Sequence, residues 1–151
     1  MQIKEVVTAK GAVCARVLAA LPHWFGMPAS NEAYIRDVEA MPMWAAYDGD
    51  RLFGFLALGR PTPHVFEVHV MGVKPELHRH GAGRALVETA AAHARTHGTR
   101  FLTVKTRSAA APDPGYDKTR AFYAAMGFVA IDELPTLWDA ENPAVLMLKL
   151  L

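Results

Sequence analysis

The sequence predicts a single α/β domain built around one mixed sheet, and three observations support this prediction. The chain has 151 residues, a length at which one domain with one hydrophobic core is common. Hydrophobic residues make up 52% of it and charged residues 21%, as in globular proteins. Turn residues divide the apolar segments into the order β-α-α-β-β-β-α-β-α-β-β. Early hairpins and one strand–helix–strand crossover predict a central mixed, mostly antiparallel sheet.

Two helices and a hairpin are predicted in the first half of the chain. Apolar residues at positions 13, 17, 18 and 21 have helical spacing, and Pro22 ends that helix. Ser30 is a suitable N-cap for a second helix, which Pro42 closes. Asp48-Gly49 between two apolar segments predicts a hairpin turn. The predicted elements are a strand at 2–8, helices at 10–21 and 31–40, and strands at about 44–47 and 52–58.

The crossover and a final pair of strands are predicted in the second half. Gly98 ends an alanine-rich helix, and Asp117 is a suitable N-cap for a later helix that stops at Gly127. The predicted elements are a strand at about 64–74, a helix at 82–97, a strand at 100–106, a helix at 118–126, and strands at about 128–132 and 144–150. There is no internal repeat or linker, so we expect one domain over residues 1–151.

Composition and charge exclude several classes of protein. The formal net charge of +1 does not favour nucleic acid as a partner. Cys14 is the single cysteine, which excludes a disulfide within the chain, and its apolar neighbours favour a core position. No apolar stretch approaches the ~20 residues that span a bilayer, and no signal peptide is visible. His93 and His97 have metal-ligand spacing but lack a third ligand. We expect a cytoplasmic protein without a membrane partner or a metal.

The segment from Val70 to Arg84 predicts an anion site. A strand ends, a turn rich in glycine and basic residues follows, and a helix begins within Gly81-Ala82-Gly83. The first N–H groups of a helix lack intrahelical partners and carry partial positive charge, so they bind phosphate well. The alternative is that the glycines only build a tight turn. The coincidence with four basic side chains favours the anion site: His78, Arg79, His80 and Arg84.

Two kinds of nucleotide site do not fit this turn. A dinucleotide-binding fingerprint needs a third glycine where Leu86 stands, and an acidic residue at the end of the next strand. Residues 103–106 contain no carboxylate. A P-loop needs Gly-Lys-Ser or Gly-Lys-Thr, which the sequence lacks.

The turn instead resembles the signature of the GNAT superfamily of acetyl-CoA-dependent N-acyltransferases, Gln/Arg-x-x-Gly-x-Gly/Ala after a strand that ends in valine. That signature corresponds here to residues 78–83 after Val73, with His78 in place of Gln or Arg. A second block, residues 120–128, resembles the family's Phe-Tyr-x-x-x-Gly-Phe element. Tyr116 stands where the family often has an asparagine, so that cofactor contact is not carried over.

The resemblance implies that acetyl-CoA is the co-substrate. Glycine at position 72, inside an apolar strand, suggests a bulge. In the family such a bulge splays two parallel middle strands, and the pantetheine arm lies between them. The implied cofactor-binding residues are Met71, Gly72, Val73, His78, Arg79, His80, Gly81, Ala82, Gly83 and Arg84.

Three residues are candidates for acid–base chemistry. The amine must lose a proton, and Glu67 lies where some family members place a catalytic glutamate; the alternative is a solvent-facing strand residue. His69, two residues later on the same strand face, is the rival base, although a structural histidine is the favoured interpretation. Tyr123 matches the family's tyrosine, which protonates the departing thiolate. Its alternative role is that of a buried aromatic.

The resemblance implies that the acceptor is an amine of a small molecule or peptide, and the sequence does not identify it. The family's variable acceptor wall corresponds to His23, Trp24, Phe25 and Tyr34, which could equally close the core. Pro135 and Trp138 are expected in a loop between the last strands. Homodimers are common in the family. The alternatives to an enzyme of this family are a non-catalytic acyl-CoA sensor and a nucleotide-dependent enzyme.

Overall fold

A seven-stranded mixed sheet and four α-helices form the chain, and the predicted order of elements is confirmed. The computed structural model describes residues 1–151. The strands are β1 Gln2–Glu5, β2 Met43–Asp48, β3 Arg51–Thr62, β4 Val65–Val73, β5 Phe101–Arg107, β6 Val129–Asp139 and β7 Asn142–Leu150. The helices are α1 Lys10–Ala19, α2 Pro28–Asp37, α3 Ala82–Thr96 and α4 Pro114–Ala125, with short 3-10 turns at Val38–Ala40 and Pro75–Leu77.

The strand order is β1-β2-β3-β4-β5-β7-β6. Antiparallel pairing joins β1 to β2 and β2 to β3, where the predicted hairpin turn lies at residues 49–50. Antiparallel pairing also joins β5 to β7 and β7 to β6. The chain passes from β4 through α3 to β5, which is the predicted strand–helix–strand crossover. No helix is long and apolar enough to cross a membrane.

Two compact units make up the chain, and the single-domain organisation stays a prediction. The first unit comprises residues 1–59 and 68–93. Its core is built where α1 packs on the sheet, and Cys14 and Val17 are fully buried there, as expected for apolar residues at helical spacing. The second unit comprises residues 60–67 and 94–151. Leu102, Tyr123 and Phe128 are buried in it.

The predicted N-caps, Ser30 for α2 and Asp117 for α4, were both wrong. The helix α2 begins at Pro28, with Met27 at the N-cap position and no side-chain cap; proline suits the first turn because its φ is already helical and its missing N–H is not needed. In α4 the cap is Asp113, whose Oδ1 accepts hydrogen bonds from the amides of Gly115 (2.9 Å) and Tyr116 (3.2 Å). Asp117 lies inside the helix, which begins at Pro114, four residues before the predicted start, and ends at Ala125.

The outermost strands also differ from the prediction. β1 ends at Glu5 because the chain turns before α1, where Ala9 has a left-handed φ of 53°. β6 extends to Asp139, so Pro135 and Trp138 lie in a strand rather than a loop. Proline is tolerated there because β6 is the last strand of the sheet and one of its edges makes no ladder.

Candidate functional site

The turn between β4 and α3 contains two residues with left-handed backbone. Arg79 has φ of 66° and Gly81 has φ of 83°. The first is uncommon for a residue with a side chain, and the second is what glycine allows. A Cβ placed on Gly81 would have no protein atom within 4 Å. Glycine there therefore provides the backbone conformation and leaves open space above the turn.

The first turn of α3 presents amides without helical partners. Ala85 donates its N–H to the carbonyl of Gly81 at 3.0 Å, which is the first bond of the helix. The amides of Ala82, Gly83 and Arg84 precede this bond, so helix geometry gives them no intrahelical acceptor. Residues 78–81 are exposed. Exposed residues before the helix, amides without intrahelical acceptors and the positive end of a helix dipole are the features that an anion-binding site requires.

The basic side chains around the turn differ in their contacts. The Nε2 of His78 lies 2.7 Å from the carbonyl oxygen of Val73, so this nitrogen donates, and the ring meets Trp24 edge-on at 5.7 Å. Arg84 lies 3.7 Å from Glu88 on the helix surface. Arg79 and His80 are exposed. The sequence grouped these basic side chains together, but the ring of His78 is turned towards the end of β4.

The strand β4 alternates between two faces. Phe66, Val68, Val70 and Gly72 are buried, whereas Glu67, His69, Met71 and Val73 are half-buried. Packing favours glycine at position 72, because a Cβ there would lie 2.7 Å from Cδ1 of Leu21, which follows α1, and 3.2 Å from Cγ1 of Val17 in α1. The close approach of Leu21 and Val17 therefore accounts for the glycine, and the bulge at this position stays a prediction.

Glu67 forms an ion pair in the second unit. Both carboxylate oxygens lie 3.3 Å from the Nζ of Lys105, and the Glu67 side chain is only 16% exposed. It is therefore not the solvent-facing strand residue that was the alternative interpretation.

His69 forms a pair that the sequence did not predict. Its Nε2 lies 3.0 Å from Oδ2 of Asp37, the last residue of α2, and the ring of Tyr34 meets it edge-on at 5.6 Å. Asp37 is 32 residues away along the chain. No spacing pattern links two residues so far apart, so only the fold brings them together.

Tyr123 is buried in the second unit, at 5% exposure. The rings of Phe122 and Phe128 each lie 5.4 Å from it, edge-on. Burial raises the pKa of the Tyr123 hydroxyl well above its ordinary value, and the nearby Tyr116 adds to the rise. The hydroxyl therefore stays protonated throughout the neutral range.

The other aromatic and histidine residues fall into separate contacts. Edge-on ring pairs join His23 to Trp24 at 5.1 Å and Phe25 to Tyr34 at 6.0 Å in the first unit. His93 packs on Trp44, whereas His97 lies beyond the end of α3 and packs on Phe66. Trp138 is half-exposed on β6.

Solved structures share this fold. A protein described as an acetyltransferase of the GNAT family from Desulfovibrio desulfuricans superposes with a TM-score of 0.82 at 20% identity, covering 97% of this chain and 96% of that chain. The aminoglycoside 6'-N-acetyltransferase from Enterococcus faecium gives 0.78 at 19% identity, covering 99% and 97%. A GNAT family acetyltransferase from Elizabethkingia anophelis with acetyl-CoA bound gives 0.76 at 13% identity, covering 99% and 97%.

The sequence itself decides the family. None of the curated proteins matches the chain. The model of the acetyltransferase (GNAT) family matches residues 16–128, which is most of the chain and includes the turn of residues 78–84, β4 and Tyr123. This match agrees with the fold and with both sequence motifs. The chain therefore belongs to the acetyltransferase (GNAT) family and is an acyltransferase.

Proposed function

We propose that this acetyltransferase binds acetyl-CoA at the turn of residues 78–84 and transfers the acetyl group directly to an amine. The observation that carries the proposal is the start of α3, where three amides precede the first helical bond and the exposed Gly81 leaves open space. A diphosphate supplies oxygen acceptors and negative charge, which match this site in both hydrogen bonding and electrostatics.

Each part of the turn has a distinct role in cofactor binding. The amides of Gly81, Ala82, Gly83 and Arg84 bind the diphosphate, and the side chains of Arg79, His80 and Arg84 add positive charge. The backbone of residues 71–73 pairs with the pantetheine arm, like an added strand. His78 already donates to the carbonyl of Val73, so it shapes the end of β4, and a direct contact with phosphate would require this bond to be exchanged.

The transfer needs a proton acceptor and a proton donor. Free alkyl amines are mostly protonated at neutral pH, so a base must remove a proton before or during attack. Glu67 and His69, on the half-buried face of β4, are the candidates for this base. Tyr123 is the candidate donor to the departing thiolate. Its raised pKa keeps the donor form populated.

The acceptor that we propose is an amine of a small molecule or peptide. The structurally similar protein from Enterococcus faecium is named for acetylation of an aminoglycoside, which supports this range of acceptors without choosing among them. Action in the cytoplasm and assembly as a homodimer are further expectations, and gel filtration tests the second.

Release of thiol from acetyl-CoA tests the proposal. The purified chain is mixed with acetyl-CoA and a panel of amines: an amino acid, a polyamine, an aminoglycoside and a peptide with a free N-terminus. We expect release with at least one amine at a rate well above that without amine. Tight binding of acetyl-CoA with no release across the panel would favour an acyl-CoA sensor. Thermal stabilisation by ATP or a dinucleotide, but not by coenzyme A, would favour a nucleotide-dependent enzyme.

A further inference from the structure

Asp37 of α2 and His69 of β4 form a side-chain pair in the first unit. The Nε2 of His69 is 3.0 Å from Oδ2 of Asp37, with side chains 27% and 42% exposed. The ring of Tyr34, one helical turn before Asp37, packs edge-on against His69. Two residues of α2 therefore fix the orientation of one imidazole on β4.

The contact with Asp37 determines which nitrogen of His69 can act as a base. A carboxylate oxygen only accepts hydrogen bonds, so Nε2 of His69 donates to it. In the neutral ring the remaining nitrogen, Nδ1, then carries the lone pair. When Nδ1 takes up a proton, the imidazolium remains hydrogen-bonded to a negative charge. An orienting carboxylate plays this part in other acid–base pairs.

His69 is also better placed along the strand than Glu67. The proposed pantetheine arm runs from the turn back along β4, past Val73 to Met71. His69 precedes Met71 by two residues on the same face, about 7 Å at ~3.3 Å per residue, whereas Glu67 precedes it by about 13 Å. The thioester end therefore comes within reach of His69 first.

Glu67 has a further disadvantage as a base. Its carboxylate is paired with Lys105, whose Nζ lies 3.3 Å from both oxygens. To act as a base, Glu67 would have to exchange this ion pair for a contact with the amine, whereas the contact between His69 and Asp37 uses only Nε2 of the ring.

We propose that His69, oriented by Asp37, is the base that accepts the amine proton. This inference rests on the proposed acetyl transfer. The amine nitrogen attacks the thioester carbonyl carbon and a C–N bond forms, while the nitrogen gives one proton to Nδ1 of His69. The C–S bond breaks, sulfur leaves with its electron pair and is protonated, and His69 later releases its proton to solvent. Amine and thioester thus give amide and thiol.

Kinetics of variants test this assignment, with thiol release from acetyl-CoA and the best amine of the panel as readout. We expect His69→Gln to lower kcat by about 10²–10³-fold with an unchanged KM for acetyl-CoA, because general bases contribute ~10²–10⁴. Asp37→Asn should lower kcat on the order of 10²-fold, because an amide can donate to Nε2 and impose the wrong tautomer. The matched controls are His64→Gln, in the exposed turn before β4, and Glu32→Gln, on the exposed side of α2.

Two readouts separate a chemical role from a structural one. Added imidazole should restore part of the kcat of His69→Gly and leave the wild type unaffected. The acidic limb of the wild-type pH profile of kcat should be lost in His69→Gln. The titratable groups in contact with His69 are Asp37 and Tyr34 from α2, and the profile of Glu67→Gln, the rival candidate, is measured beside it.

A His69→Gln variant with kcat within about threefold of a working wild type would overturn the base assignment and leave acetyl transfer intact. A larger loss in Glu67→Gln than in His69→Gln, or a folded His69→Gly that imidazole does not restore, would also overturn it. A wild type that releases no thiol with any amine would overturn the proposed function and the base assignment together.

Discussion

Single residues carry the proposed chemistry, and their surroundings decide what each can do. Tyr123 is enclosed by Phe122 and Phe128, so its hydroxyl is held in the protonated form. Glu67 forms an ion pair with Lys105, and His69 is oriented by Asp37. Residue type alone did not decide whether Glu67 or His69 is the better candidate for the base. Their partners lie 38 and 32 residues away, so only the folded chain distinguishes the two.

Tyr123→Phe tests the proton donor. The substitution removes the hydroxyl and keeps the ring that packs in the second unit. We expect kcat for thiol release to fall by about 10²-fold, as for loss of one general acid, with unchanged affinity for acetyl-CoA. Tyr47→Phe, on β2 of the first unit, is the matched control. A Tyr123→Phe variant with wild-type kcat would assign Tyr123 to packing alone.

At the scale of elements, the two ends of α3 provide a matched pair of glycines. Gly81 before the helix and Gly98 after it both have positive φ, 83° and 72°, and a Cβ on either meets no protein atom within 4 Å. Alanine at either position should cost stability of about 1–2 kcal/mol, from left-handed strain. Only at Gly81 would the methyl group occupy the space proposed for the diphosphate.

We therefore expect Gly81→Ala to weaken coenzyme A binding on the order of tenfold, about 1.4 kcal/mol. Gly98→Ala should lower the melting temperature by about as much as Gly81→Ala does, without changing the affinity for coenzyme A. Isothermal titration calorimetry measures the first effect and thermal unfolding the second. Equal affinity in the two variants would place the cofactor away from this end of α3.

The N-cap of α4 gives a second prediction at this scale. Asp113 accepts two amide hydrogen bonds at the start of the helix, so Asp113→Ala should cost about 1 kcal/mol of unfolding free energy. Asp117 forms an i,i+3 ion pair with Arg120 on the helix surface, and Asp117→Ala should cost less than about 0.5 kcal/mol. Urea unfolding compares the two. A larger loss in Asp117→Ala would contradict the cap at Asp113.

Element order was predictable from the sequence, whereas several element ends were not. Apolar spacing located α1, and Asp48-Gly49 located the first hairpin. The starts of α2 and α4 depended on a choice between neighbouring candidates for the N-cap. In each helix the first residue is a proline, and the N-cap is the residue before it. Only Leu134 of β6 is even half-buried. Its length follows from pairing with β7, and its sequence shows no alternation that could have predicted it.

At the scale of the whole molecule, the fold follows the pattern of elements more than residue identity. A structure that matches nearly the full chain shares 20% of its residues. The local signature was nevertheless recognisable, because glycines and small residues at fixed positions are what a helix start open to an anion requires. The turn of residues 78–84 and the Asp37–His69 pair lie in the first compact unit, and Tyr123 lies in the second.

Stability of the whole chain should fall in alkaline solution. Burial raises the pKa of Cys14 from 9.0 to about 12, and burial raises that of Tyr123 above its ordinary value of 10.0. The folded chain keeps these protons at a pH where the unfolded chain has lost them. The resulting stabilisation is complete below about pH 9 and is lost as the pH rises, by at most about 1.4 kcal/mol per pH unit for each group.

Urea midpoints between pH 7 and pH 10.5 measure this loss, and the fall above pH 10 should be shallower in Tyr123→Phe. A midpoint that rises from pH 9 to pH 10.5 would contradict the burial of both groups.

An NMR titration of the ¹⁵N-labelled chain with coenzyme A tests the central claim, that backbone amides at the start of α3 bind a diphosphate. The account predicts that the amide signals of residues 81–84 shift most and saturate together, with smaller shifts at residues 71–73. Pantetheine, which lacks the diphosphate, should shift the amide signals of residues 71–73 and leave those of residues 81–84 almost unchanged. Saturating coenzyme A that leaves the signals of residues 81–84 in place would contradict the account.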